Sequence, residues 1–190
     1  MLRYIPQTDF IGGRWRNWKG MTWEIASHTK AGAADFSWRF AKAHVDNDVP
    51  FSIYPGMDRI FMMIEGDGMD LEFEDGKILQ VHQKFIPHKF SCDVPLICKL
   101  RGGPSVDLNL FGARVDTSIE CEIIDIKSQR QLDMTSQFTV FFALDGGCTI
   151  SSTRETVELQ AGDAALAFEE KALTCVSSHA KLFVGMLHHL

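Results

Sequence analysis

Helical periodicity is almost absent from the 190-residue sequence: apolar residues rarely recur at the three- and four-residue spacing of an amphipathic helix. No segment approaches the roughly 18 uninterrupted apolar residues of a membrane helix. The opening stretch "MLRYIPQTDFIGGRWRNWKG" has no apolar core of the secretion-signal kind, and a cytoplasmic location is expected. Lys and Arg form no cluster and the net charge is −6, which gives nucleic-acid binding little support. The 5 cysteines are odd in number, scattered and never in C-x-x-C spacing, arguing against a disulfide framework and a zinc ribbon. Most lie in apolar runs such as "LICKL", where a thiol acts as a small hydrophobe. G-x-S-x-G, P-loop and G-x-G-x-x-G signals are missing, so hydrolase-elbow and nucleotide-loop chemistry have no support.

What the chain does have is short runs of β-branched and aromatic residues between turn signals. "FSWRFAKAHV", "DRIFMMIEG", "GMDLEFE", "SVDLNLFG", "FTVFFALDG", "DAALAFE" and "KLFVGMLHH" read as strands, separated by "YPGM", "EGDG", "RGGPS" and "LDGG". So many short strands predict an all-β sandwich or barrel fold. The polar stretch from Ser118 to Thr135 reads as a connector or edge strand with a short helical turn. An internal echo is also present. "FMMIEG" from Phe61 returns as "FFALDG" from Phe141, and "LQ" at Leu79 returns at Leu159, both at an offset of 80 residues. Two matches at one offset point to a duplicated β unit: two similar barrels or sandwiches sharing an interface.

Several polar residues interrupt the strand pattern. Asp107 and Asn109 are two apart and share one strand face, while Val106, Leu108 and Leu110 share the other. The expectation is that the apolar face packs on the other sheet and the polar face lines a cavity, although a simple wet face also fits. Arg39 shares its face with Ser37, Ala41 and Ala43, where small neighbours leave room for a carboxylate. Asp58 and Arg59 are adjacent, so they point to opposite faces; one enters the cavity and the other is solvated. "RWRNWKGMTWEI" gathers Arg16, Asn17, Lys19, Thr22 and Glu24, groups suited to small anions or amides or to hydrogen bonding at turns. His82 and His88 are six apart and would share a strand face unless the chain breaks register at Pro87.

The pattern "VFFALDGGCTISSTRETVELQAGDAALAFEEKALTCV" resembles the hairpin and following strands of cupins. Metal-dependent cupins place two histidines and a glutamate before the first hairpin turn and a third histidine later. Here the first region reads Ser52, Ile53, Tyr54, Pro55, and the later positions hold Cys92 and Leu173. "WRNWKGMTWEI", "DFSWRFAKAHV", "PFSIYPGMDRIFMMIEGDGMDL" and "VDLNLFGAR" follow one another as the blocks of the HutD/Ves family do, spanning Trp15 to Arg114. This resemblance implies a bicupin, two cupin-like barrels packed into one compact unit, with halves at residues 15–115 and 116–190. It also implies a metal-free pocket without a cofactor, and a regulatory or accessory role, in histidine utilisation or in its stress-induced relative. The polar pattern falls on Asn17, Thr22, Glu24, Arg39, Asp58, Arg59, Asp107, Asn109 and Arg114. Trp23, Leu108 and "FGAR" depart from it, removing two guanidiniums that would strengthen a carboxylate clamp.

These readings predict a small-molecule-binding protein whose partner is an organic acid or amide, with no role for nucleic acid or membrane. Arg59 and Arg39 are expected to hold anionic oxygens, Asn17 and Asn109 amide or hydroxyl groups, and Glu24 or Asp58 donors. The alternatives are a metal-free isomerase or lyase with Glu24 or Asp58 as general base, and a protein-interaction module with a degenerate pocket. Long sheet edges are compatible with a homodimer.

Overall fold

A computed structural model describes residues 1–15, 20–31 and 35–190. The chain divides into an N unit, Ile11–Asp116, and a C unit formed by Met1–Phe10 with Thr117–Leu190. The strands are β1 (Leu2–Ile5), β2 (Ile11–Arg14), β3 (Gly20–His28), β4 (Trp38–Val45), β5 (Val49–Pro50), β6 (Met57–Glu65), β7 (Met69–Phe73), β8 (Ile78–Val81), β9 (His88–Ser91), β10 (Leu96–Leu100), β11 (Ser105–Ala113), β12 (Thr117–Ile126), β13 (Gln129–Asp133), β14 (Phe138–Gly146), β15 (Cys148–Ser151), β16 (Thr156–Leu159), β17 (Ala164–Phe168), β18 (Ala172–Val176) and β19 (Ala180–His189). Among the described residues the only helical turn is Gln7–Asp9. The all-β architecture is the one the sequence predicts.

Each unit is a two-sheet sandwich, and the strand orders repeat. The N unit has a six-stranded sheet, β2-β3-β4-β11-β6-β9, and a four-stranded one, β5-β10-β7-β8. The C unit has β12-β19-β14-β17-β1 and β13-β18-β15-β16. Thus β4, β11, β6 and β9 correspond to β12, β19, β14 and β17, and the second sheets correspond strand for strand. Even an irregularity is copied. The β6–β11 register slips at Ile64, and the β14–β19 register slips at Leu144, which lies 80 residues further on. Gly66 and Gly146, the echoed turn glycines, adopt φ of 113° and 67°. A Cβ on either would lie 2.2 Å from Ser105 Oγ or from the His179 carbonyl oxygen, so both positions require glycine.

Alternation along the strands builds a separate core in each unit. Phe61, Met63, Met69, Leu71, Val81 and Cys98 fill the N unit, and Phe141, Ala143, Ile150, Leu159, Leu173 and Leu182 fill the C unit. Each fully buried side chain of this size contributes about 1.5–3 kcal/mol. Four of the five thiols are buried, as their apolar runs suggest, and Cys121 is half-buried.

Three expectations are corrected. The stretch from Ser118 to Thr135 contains no helical turn among the described residues; it forms β12 and β13, each at the edge of its sheet, because Ile119, Ile124 and Ile126 have core positions to occupy. His82 and His88 do not share a strand. The chain turns at Phe85 (φ 65°), two residues before Pro87, and His82 bonds Asp70 while His88 opens β9. Finally, it is the polar face of β11 that meets the second sheet of its unit: Met63 and Phe61, which stand opposite Asp107 and Asn109, share a core cluster with Leu71 of β7 and Cys98 of β10, and Leu108 and Leu110 are buried on the opposite face.

Candidate functional site

The site follows from the registers of β3, β4, β11 and β6. Asp107 stands opposite Ala43 and Met63, Asn109 opposite Ala41 and Phe61, and Phe111 opposite Arg39 and Arg59. Directly opposed residues share a face, so Arg39 and Arg59 project to the same side as Asp107 and Asn109. Thr22 and Glu24 of β3 join them opposite Ala43 and Ala41. The two alanines leave room, and a cavity of about 420 Å³ opens there. Thr22, Arg39, Arg59, Asp107 and Asn109 line it together with the aromatic residues Trp15, Phe51, Tyr54 and Phe111, and Glu24 lies outside its lining. A few placed polar groups in an aromatic wall is the usual composition of a small-molecule pocket.

Arg59 is its centre. Only 7% of the residue is exposed, and the guanidinium carbon sits 4.5 Å from the Phe51 ring centroid, 5.0 Å from Phe61, 5.1 Å from Phe111 and 5.8 Å from Phe90. Ring faces at these distances stabilise a cation that burial would otherwise disfavour. Burial nonetheless lowers the Arg59 pKa, opposed chiefly by the charge of Asp107. Arg59 Nε donates to Asn109 Oδ1 at 2.7 Å and Nη2 donates to the same oxygen. Asn109 Nδ2 in turn donates to Asp107 Oδ1 at 2.5 Å, while Arg59 Nη2 is 4.0 Å from that carboxylate oxygen. The result is a relay, Arg59–Asn109–Asp107. Both ends of the Asn109 carboxamide are therefore engaged within the protein, and it bridges two charges where it was expected to reach a ligand.

Asp107 is fully buried, and its Oδ2 has no hydrogen-bond partner among the described residues. Burial pushes its carboxyl pKa up to about 6 against the opposing pull of Arg59 and Asn109. At the other end of the relay, Arg59 Nη1 makes no hydrogen bond among the described residues and remains a donor in a residue that lines the cavity.

The other candidates are distributed as follows. Arg39 lines the cavity, and its Nε lies 2.9 Å from Glu24 Oε2 in an ion pair whose N–H points off the hydrogen-bond axis. Glu24 also accepts from Ser27 Oγ at 2.7 Å. Thr22 lines the cavity and accepts from Trp15 Nε1 at 2.7 Å. Asp58 points away from Arg59, as strand alternation requires. It pairs with Arg114 at 2.8 Å, and Arg114 also contacts Asp93, so Asp58 and Arg114 form an outer cluster and do not line the cavity. Asn17 lies outside the described residues. Sequence reasoning passed over the aromatic lining, although Phe51 and Tyr54 flank the "PGMDR" turn that carries Arg59.

The chemistry of this donor set does not suit a metal. Among the described residues the cavity's charged lining is two guanidiniums and one carboxylate, and no three His, Cys, Asp or Glu side chains converge.

The C unit shows what the same scaffold does without a pocket. Through the copied bulge, Arg59, Asp107 and Asn109 correspond to Thr139, Leu182 and Val184, and Ala43 corresponds to Ile124. Leu182, Val184 and Ile124 belong to the apolar core there.

Two duplicated sandwiches, one with an apolar core at these positions and one with a polar cavity, define a cupin-like fold. The chain belongs to the HutD family, whose model matches residues 7–184. Over 112 residues it is 33% identical to a 21.2 kDa protein of the hutC 3′ region of Pseudomonas putida, the match covering 59% of this chain and 58% of that relative's length. A conserved protein of Pseudomonas aeruginosa PAO1 superposes with a TM-score of 0.90 at 25% identity over 99% of both chains. HutD from Pseudomonas fluorescens SBW25, solved in a formate condition, gives 0.87 at 20% identity over 100% of both. The fold also matches the Escherichia coli protein Ylba, with a TM-score of 0.72 at 9% identity over 97% of this chain and 90% of that one.

Proposed function

We propose that the protein is a regulatory or accessory protein of histidine utilisation that binds a small carboxylate- or amide-bearing molecule in the N-unit cavity. The observation that carries this reading is Arg59: a buried guanidinium, fixed by Asn109, lining a cavity of about 420 Å³ with one nitrogen outside its protein hydrogen bonds. A guanidinium fixed in this way is pre-organised for an anionic oxygen, which strengthens the contact at little entropic cost. Family membership and the hutC-region relative support the histidine-utilisation setting. A holding role is favoured over turnover because both carboxylates considered as bases are tied down, Glu24 by Arg39 and Asp58 by Arg114.

Thermal-shift screening with acetate, benzoate and the acids of histidine breakdown tests the reading. A true ligand at one hundred times its Kd stabilises by about 2.7 kcal/mol and raises the melting temperature of the wild type. Arg59→Ala should lose that rise. A ligand that is consumed over time would instead establish an enzyme, and an unchanged response in Arg59→Ala would move the site elsewhere.

A further inference from the structure

We propose that Asp107 sets the charge state in which the cavity accepts its ligand, so that an anion binds together with a proton taken up from solvent by the Asp107 carboxylate. The inference rests on the reading of the cavity as an anion site and concerns how that site is regulated.

The argument begins with charge balance. Among the described residues the charged ones lining the cavity are Arg39, Arg59 and Asp107. Glu24 neutralises Arg39 and Asp107 neutralises Arg59, at 2.9 Å and 4.0 Å respectively. With Asp107 ionised these described groups therefore sum to no net charge, and an incoming carboxylate adds an uncompensated negative one. Two carboxylates then share one guanidinium in a water-poor space, and like charges so placed drive one of them to protonate. The ligand's carboxylate would be held by donors, whereas Asp107 Oδ2 is buried without a hydrogen-bond partner among the described residues. Asp107 is thus the carboxylate that takes the proton.

Among the described residues the other carboxylate on this face, Glu24, is held by Arg39 at 2.9 Å and is part-exposed, whereas Asp107 is buried. The titratable groups that face Asp107 are Arg59 from β6 and the Cys98 thiol from β10, which burial pushes up to about 12 and keeps protonated. β3 and β4 present Thr22, Ala41 and Ala43 opposite it and the Glu24–Arg39 pair further along the same face, β11 itself presents Asn109, and Tyr54 lines the cavity beyond Arg59. In the empty protein Asp107 titrates near pH 6, so the coupling operates around neutrality. Above that point affinity should fall as pH rises, approaching tenfold per pH unit, because each binding event then requires a proton. A cell acidifying from neutrality would load the site at constant ligand concentration.

Calorimetric titration of the full chain with the acids of the thermal-shift screen, acetate and benzoate among them, reads the coupling directly. Pairs of buffers with different ionisation enthalpies at pH 7 should reveal uptake approaching one proton per ligand bound. Asp107→Asn should bind without proton uptake and with affinity flat from pH 6 to 8. Binding by the wild type with no proton exchange, or an Asp107→Asn variant that retains the wild-type pH dependence, overturns the inference and leaves the carboxylate site standing. Failure of every acid to bind overturns the site and the inference together.

Discussion

Replacing Asp107 by asparagine should flatten the pH dependence of the N unit's stability, even with no ligand present. The carboxyl pKa rises from 3.8 to about 6 on folding because burial disfavours the charged form. A folded state with the higher pKa binds more protons than the unfolded chain, so this group's contribution is fully present below the unfolded value and is lost as pH rises through the folded one. At about 1.4 kcal/mol per pH unit the full loss is about 3 kcal/mol, of which about 2 kcal/mol falls between pH 4.5 and 7.5. Asparagine is nearly isosteric and can still accept the bond that Asn109 Nδ2 donates. Removing the counter-charge of Arg59 adds a penalty that does not vary with pH, so the test is the change in the difference between the two proteins. Urea denaturation followed by tryptophan fluorescence isolates the relevant unit, because the sequence's four tryptophans lie at positions 15, 18, 23 and 38, all within the N unit. Relative to wild type, Asp107→Asn should gain about 2 kcal/mol across that range. Stability profiles that stay parallel from pH 4.5 to 7.5 would refute the account of a strained, buried carboxylate.

The duplicated turns and the solid C unit yield two further expectations. Gly146→Ala should destabilise the C unit by more than about 1 kcal/mol, because a Cβ there meets the His179 carbonyl oxygen at 2.2 Å on a backbone with φ of 67°; the loss should appear by circular dichroism and leave the tryptophan transition unmoved. Leu182→Ala, at the C-unit counterpart of Asp107, should cost about 2–5 kcal/mol as a cavity in an apolar core, and ligand-induced thermal shifts of the N unit should be unaffected.

Period-two alternation made a large part of the site legible in the sequence. It separates Asp58 from Arg59 and places Asp107 with Asn109, and the structure follows it at each of these positions. The echo from Phe61 to Phe141 likewise anticipated a duplication that extends to the β-bulges. What alternation cannot reveal is who pairs with whom across the sheet. The Glu24–Arg39 ion pair depends on a register slip at Ile25, and the Asp58–Arg114 pair joins residues 56 apart in sequence. Asn109 looked like a ligand-facing amide because its strand position is right, yet its partners arrive from a neighbouring strand and from its own strand two residues earlier. The aromatic wall escaped notice for a related reason. Phe51 and Tyr54 sit outside regular strands, and only the folded turn carries Phe51 to within 4.5 Å of the Arg59 guanidinium.

The two units allow stability and function to be weighed against each other on one scaffold. At corresponding positions the C unit uses Thr139, Leu182 and Val184, and the N unit uses Arg59, Asp107 and Asn109. A well-packed apolar set is commonly as stable as a buried ion pair or more so, by about 1–4 kcal/mol, because desolvating two charges offsets most of their attraction. The C unit demonstrates that uncharged side chains fill these positions in this very architecture, Leu182 and Val184 in its apolar core and Thr139 buried with its hydroxyl on Ser136. Packing therefore gives no reason to keep a guanidinium and a carboxylate inside the N unit, least of all with one carboxylate oxygen unbonded. The proposed binding of an anion in the N-unit cavity would account for their presence, and the alanines of β4, which leave space where the C unit places Ile124 opposite Leu182, fit that proposal.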